Sequence, residues 1–224
     1  MMTQVVARVR RLDRGVLIAL VILAAVAITF GVLASTGNDR PDPAGVAVIG
    51  GSVTAGADNR VVWPTLLARH TGLPVANLAQ PGAGFAADGA GGHAYTYQAD
   101  RAAATRFPVV LVATEQADNE FVDSDSNAIA VGVRDVLNKI AMNGQRALVV
   151  GPTWYEPQIP ETVRRVADAV RQVAESAGVP FLNALDPPWL NFADMKSDYS
   201  GPNDRGQAVI ADKVAAWLRT EGIR

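Results

Sequence analysis

The sequence predicts an α/β fold: a three-layer domain on about five parallel strands, preceded by one N-terminal transmembrane helix. Short, fully apolar runs alternate with amphipathic helical patterns, which is how a parallel sheet covered on both faces reads. The runs end in glycine or proline, as strand-to-helix turns do. A separate uncharged apolar stretch precedes the first of them.

That stretch, Gly15 to Ser35, is long enough at 1.5 Å per residue to cross a hydrocarbon core of roughly 30 Å. Arg8, Arg10, Arg11 and Arg14 precede it against the single acid Asp13. The positive-inside bias then leaves residues 1–14 in the cytoplasm and everything after Ser35 outside the plasma membrane. A cleaved signal peptide is the competing reading, with Val32-Leu33-Ala34 as its small-residue site, but the apolar run exceeds the usual core of about 7–15 residues. Residues 36–44, with two prolines, form a stiff linker to a domain over 45–224.

Within the domain, Val46 to Ile49 is the first strand and ends in Gly50-Gly51. Trp63 to His70 is helical and stops at Gly72 and Pro74, and Val75 to Leu78 is the second strand. A glycine-rich stretch, Pro81 to Gly92, leads to a helix over Ala94 to Thr105 and the apolar strand Val109 to Ala113. Asp125 or Ser126 caps a helix reaching about Met142, and Ala147 to Val150 is the next strand. A helix from Glu161 to Ala177 closes at Gly178, Val179 to Leu182 is the last strand, and Asn203 or Asp204 caps a helix to about Arg219.

Composition excludes several classes. With 49% hydrophobic and 19% charged residues the chain is too apolar for disorder. It has no cysteine, so disulfides, thiol catalysis and cysteine-held metal are out. Removing the four Arg and one Asp of residues 1–36 from the 20 basic and 22 acidic residues leaves 16 and 21, a charge of −5 without a basic patch, which argues against nucleic acid. No lysine follows the first glycines, which excludes a nucleotide P-loop, and no cofactor is expected. The acids Glu115, Asp118, Glu120, Asp123 and Asp125 do not have EF-hand spacing and read as a solvated loop.

Ligands of parallel α/β sheets bind at the carboxyl ends of the strands. There the sequence places Gly50-Gly51-Ser52-Val53-Thr54-Ala55-Gly56, a serine leaving a buried strand on a glycine turn. By itself this segment fits a plain strand-to-helix loop as well as a presented nucleophile. Together with Asn77-Leu78-Ala79-Gln80-Pro81-Gly82 and with Trp63 in the helix between, it resembles the first two sequence blocks of the SGNH/GDSL hydrolases. The resemblance covers roughly residues 45–220 and implies a flavodoxin-like α/β/α fold, with Ser52 as nucleophile of acyl-ester chemistry and Gly82 as an oxyanion-hole donor.

The remaining blocks depart from the family pattern. Where Gly-x-Asn-Asp is expected after the third strand, the chain reads Thr114-Glu115-Gln116-Ala117, so Gln116 stands at the oxyanion-hole asparagine, with Asn119 a second candidate. The last block, Asp198-Tyr199-Ser200-Gly201-Pro202, keeps the aspartate but has Gly201 where the family has its catalytic histidine. Gly51 replaces the aspartate of the first block. A serine hydroxyl needs an adjacent base, and losing it costs on the order of 10⁴–10⁶ in turnover. Asp198 then has no ring to orient, and Arg205 is its expected new partner. Of the two histidines, His70 is read as a helix-terminal cation, and His93 is the one candidate substitute base. Trp154, Tyr155, Trp189 and Phe192 are candidates to line a groove for an acyl chain or a partner protein.

Two functions follow as expectations. The first is a catalytically impaired SGNH-like domain outside a bacterial plasma membrane that binds an envelope glycan or lipid, or serves a membrane complex. The second is an active esterase or acyltransferase using Ser52 and a non-standard base.

Overall fold

The computed structural model describes residues 44–224 apart from 90, 91 and 93. The expected basic terminus over 1–14, the expected transmembrane helix over 15–35, all but the last residue of the linker, and His93 lie outside the described residues. Among the described residues no helix is long and apolar enough to cross a membrane.

Five strands form one parallel sheet: β1 (Val46–Ile49), β2 (Val75–Asn77), β3 (Val109–Ala113), β4 (Arg146–Val150) and β5 (Phe181–Leu182), in the order β2-β1-β3-β4-β5. This is the doubly wound arrangement in which the chain reverses its direction of growth at β1. The loops leaving β1 and β3 therefore part to either side, and a crevice opens between them.

Among the described residues six α-helices connect and cover the strands. They are α1 (Ser52–Ala55), a single turn, then α2 (Trp63–Thr71), α3 (Tyr95–Thr105), α4 (Ser126–Met142), α5 (Glu161–Ser176) and α6 (Asp204–Thr220). Strand side chains alternate, and each face has its own core. Ala47, Ile49, Val110, Val112 and Val149 pack on α3, α4 and α5, whereas Val46, Val48, Leu111 and Leu148 pack on α2 and α6. Both faces being covered explains why β1 and β3 are wholly apolar rather than alternating. Each such buried Val, Leu or Ile contributes about 1.5–3 kcal/mol of transfer free energy. The three-layer parallel fold expected from the sequence is present.

The boundaries differ in small ways with identifiable causes. Asp125 caps α4 by accepting from the amide of Ala128, and Asn203 caps α6 by accepting from Arg205 and Gly206, which settles both alternatives. β5 spans only two residues instead of Val179 to Leu182: Pro180 has no amide to donate, and its carbonyl accepts from Val149.

Candidate active site

The serine turn is built from the residues that leave β1. Gly50, buried at the strand end, exchanges two hydrogen bonds with the side chain of Gln98 from α3, its amide to Oε1 at 2.8 Å and its carbonyl from Nε2 at 3.0 Å. Ser52 then opens α1 with its side chain exposed. A four-residue helix is too short to hold itself together, and side chains from elsewhere hold this one. Glu115 Oε2 accepts from the amide of Val53 at 2.6 Å and Oε1 from that of Thr54 at 2.9 Å. Asn77 donates to the carbonyl of Thr54 at 2.9 Å, and Gln207 of α6 to that of Val53 at 3.0 Å. The indole of Trp63 donates to the Thr54 hydroxyl at 3.1 Å, while Gln207 also accepts from the amide of Trp63 at 2.8 Å. Five elements outside the turn thus fix a single exposed hydroxyl.

Opposite it lies Gly82. Its amide donates to Ser52 Oγ at 2.9 Å, which sets a backbone donor beside the hydroxyl. Gly82 has φ +73°, which a glycine adopts without strain. The loop it begins is pinned by Asp118, which accepts from the amides of Phe85, Ala86 and Ala87 at 2.8–3.0 Å. Burial pushes the Asp118 carboxyl upward, and those three amides pull it back. Glu115 behaves alike: burial raises it, against the Thr54 hydroxyl and the amides of Val53, Thr54 and Gly51. Two acids expected in a solvated loop are therefore buried anion-to-amide anchors, because the loop after β3 turns inward under the serine turn. Sequence reading did not single them out, although an acid next to β3 together with a glycine at position 51 is a detectable pair.

Ser52 and Gly82 border a cavity of about 290 Å³ that is also lined by Glu115, Gln116, Thr153 and Gly201. Of the two expected amide donors, Gln116 lines it and Asn119 does not. Gly201 faces open space, since a Cβ built there meets nothing within 4 Å. Asp198 does not line the cavity. Its Oδ1 accepts from both the amide and the hydroxyl of Ser200, at 3.0 and 2.7 Å, and these bonds hold its carboxyl below the usual range. The expected Arg205–Asp198 pair is not formed. Arg205 Nε reaches Asp194 Oδ1 at 2.9 Å, because Asp194 is buried beside the start of α6 and Asp198 turns back on its own loop. His70 pairs with Asp212 of α6 at 3.1 Å, in the last turn of α2 and away from the cavity lining.

One wall of the cavity is aromatic. Trp154 stacks on Tyr155 at 5.1 Å, Tyr155 lies nearly parallel to Tyr199 at 5.5 Å, and Phe192, outside the cavity lining, meets both tyrosines edge-on. Phe192 and Tyr199 are half exposed. Trp154 and Tyr155 follow β4, and Tyr199, missed in the sequence, joins them from the last block at φ +58°. Trp189 packs into the α2/α6 core instead.

The chain matches no family model. It is 27% identical over 191 residues to the GDSL lipase Rv0518 of Mycobacterium tuberculosis, covering 79% of this chain and 82% of that one. Among solved structures, a G-D-S-L family lipolytic protein from Desulfitobacterium hafniense superposes with a TM-score of 0.64 at 13% identity, covering 76% of this chain and 97% of its own. The psychrotrophic esterase EstA from Pseudoalteromonas sp., inhibited by monoethylphosphonate, gives 0.62 at 16% identity over 80% and 99%. A catalytic mutant of Axe2, an acetylxylan esterase from Geobacillus stearothermophilus, gives 0.60 at 15% over 81% and 96%. The chain is a relative of the SGNH/GDSL hydrolases and has their fold.

Proposed function

We propose that this chain is a cell-envelope SGNH-like domain that binds an acylated glycan or lipid in the Ser52–Gly82 cavity and hydrolyses it slowly or not at all. The observation that carries this reading is Gly201. It borders the cavity beside Ser52 and presents no side chain, while Asp198 spends its carboxylate on Ser200. Attack by Ser52 on an ester carbonyl requires its proton to pass to a base. Among the described residues lining the cavity there is no histidine or lysine, and both oxygens of Glu115 are engaged by backbone amides. The binding half of the chemistry remains: Gly82 and Gln116 to meet a carbonyl oxygen, and the aromatic wall to meet a flat apolar face. About 290 Å³ suits a short acyl group with part of its alcohol. The apolar segment 15–35 anchors the domain on the outer side of a bacterial plasma membrane, where it serves envelope binding or a membrane complex without a cofactor.

The test is turnover of nitrophenyl acetate by the full chain, with labelling of Ser52 by a fluorophosphonate. The expected rate lies within about a hundredfold of the Ser52→Ala background, whereas ordinary enzymes turn over at about 1–10³ s⁻¹. A Ser52-dependent rate in that ordinary range overturns the reading.

The second reading is an active esterase in which His93 supplies the base. It is favoured by the upkeep of the serine turn by five separate elements and by the 2.9 Å contact with Gly82. In that case His93→Ala removes Ser52-dependent turnover while leaving binding intact.

A further inference from the structure

Position 51, directly before Ser52, has no side chain, and the space that one would fill is already taken. A Cβ built on Gly51 lies 2.9 Å from Glu115 Oε2 and 2.7 Å from the carbonyl of Ala83. One built on Gly50 lies 3.2 Å from Glu115 Oε1. A carboxylate delivered from the end of β3 thus occupies the floor of the serine turn, and the two glycines give it room.

The placement is costly in isolation. Glu115 is 7% exposed, and taking a carboxylate out of water without full compensation costs several kcal/mol. Its compensation is local and directional. The oxygens accept from the two amides that immediately follow Ser52, and the Thr54 hydroxyl adds a third bond. Gln98 grips Gly50, Asn77 and Gln207 grip carbonyls, and Glu115 is the charged group among these anchors. An apolar residue at 115 would pack without that penalty, but it would leave the amides of Val53 and Thr54 unmet.

We propose that Glu115 is the positioning residue of Ser52: its carboxylate clamps the first turn of α1 so that Oγ faces the cavity at the Gly82 amide, and Gly51 is the complementary deletion that admits it. This rests on the reading that Ser52 is the group meeting the ligand. Glu115 does not touch the reacting atoms; it acts through the backbone of residues 53 and 54.

The experiment compares the full chain with Glu115→Gln and Glu115→Asp by hydrogen-exchange mass spectrometry and by the second-order rate of fluorophosphonate labelling. Glutamine keeps the length but sets an NH₂ group against an amide donor. Aspartate keeps the charge but falls one methylene short. Losing a charge-assisted bond corresponds to roughly ten- to a hundredfold in opening. Exchange of the Val53 and Thr54 amides should rise by about that factor in Glu115→Gln, and less in Glu115→Asp, with peptides of α5 unchanged and Ser52 labelling slowed in step. Unchanged exchange at those two amides in the folded variant overturns the proposal. So does protection lost evenly across the sheet, which is what a purely structural carboxylate would give. Should the glutamine variant not fold, Glu115→Asp carries the same comparison. Should wild-type Ser52 take no label, the esterase reading falls and the exchange measurement alone decides the role of Glu115.

Discussion

Gly201→His is the perturbation that most directly probes why a retained serine lacks its chemistry. A Cβ at position 201 meets nothing within 4 Å, and Gly201 is not among the residues with positive φ, so a histidine enters without overpacking or backbone strain. A placed general base contributes on the order of 10²–10⁴. The structure argues for the lower end, because Asp198 Oδ1 already accepts from the Ser200 amide and hydroxyl and is not free to orient an imidazole. The expected gain in nitrophenyl acetate hydrolysis is therefore about 100-fold over the parent, after subtraction of a Ser52→Ala background. Adding Ser200→Ala frees one of those two bonds and should raise the rate further. The pH–rate profile of the variant should acquire a rising limb near the ordinary imidazole value of about 6.5. A gain below about threefold, while Ser52 still reacts with a phosphonate, would refute the idea that the missing ring is what limits turnover. A parent that already shows the rising limb would refute it as well.

Three further outcomes follow from the same geometry. Asp118→Ala leaves three amides of the 85–87 loop without their acceptor, and denaturant unfolding should show a loss on the order of 3 kcal/mol; a loss under about 1 kcal/mol would contradict its anchoring role. Tyr199→Ala removes the half-exposed ring stacked on Tyr155, and calorimetry with an acylated oligosaccharide should register about two- to tenfold weaker binding with little change in stability; unaltered affinity would exclude the aromatic wall from the site. Glu115 is held above its ordinary value by burial, so its protonated form contributes stability that is fully present below about pH 4.3 and lost as pH rises through the folded value. The stability of the wild type relative to Glu115→Gln should accordingly grow as pH falls through that window, and a flat difference would mean that the carboxyl titrates alike in both states.

How much of the site was legible depends on the range of the interactions. Ser52 between glycines, Gly82 and Gly201 are local features of a few consecutive residues, and each lies on the cavity. Glu115 and Asp118 were misread because an acid in a loop carries no periodic signal of which way it faces. Their partners are the amides of residues 53–54 and 85–87, some 31 to 62 positions away. Arg205 stands seven positions from Asp198 along the chain, yet it pairs with Asp194, since the loop folds Asp198 back onto Ser200.

The amino-acid sequence by itself determined the alternation of buried strands and amphipathic helices, the parallel three-layer architecture, and the serine on its glycine turn. Those depend on side-chain periodicity and on backbone freedom, both properties of neighbouring residues. Tertiary structure alone decided the sheet order that opens the crevice between β1 and β3, and that Gln116 lines the cavity while Asn119 does not. It also decided the assembly of the aromatic wall from two distant loops and the exchange of a side chain at 51 for a carboxylate from 115. Each of these is a contact across the sheet, where the energy is set by which groups are buried against one another rather than by what stands next in the chain.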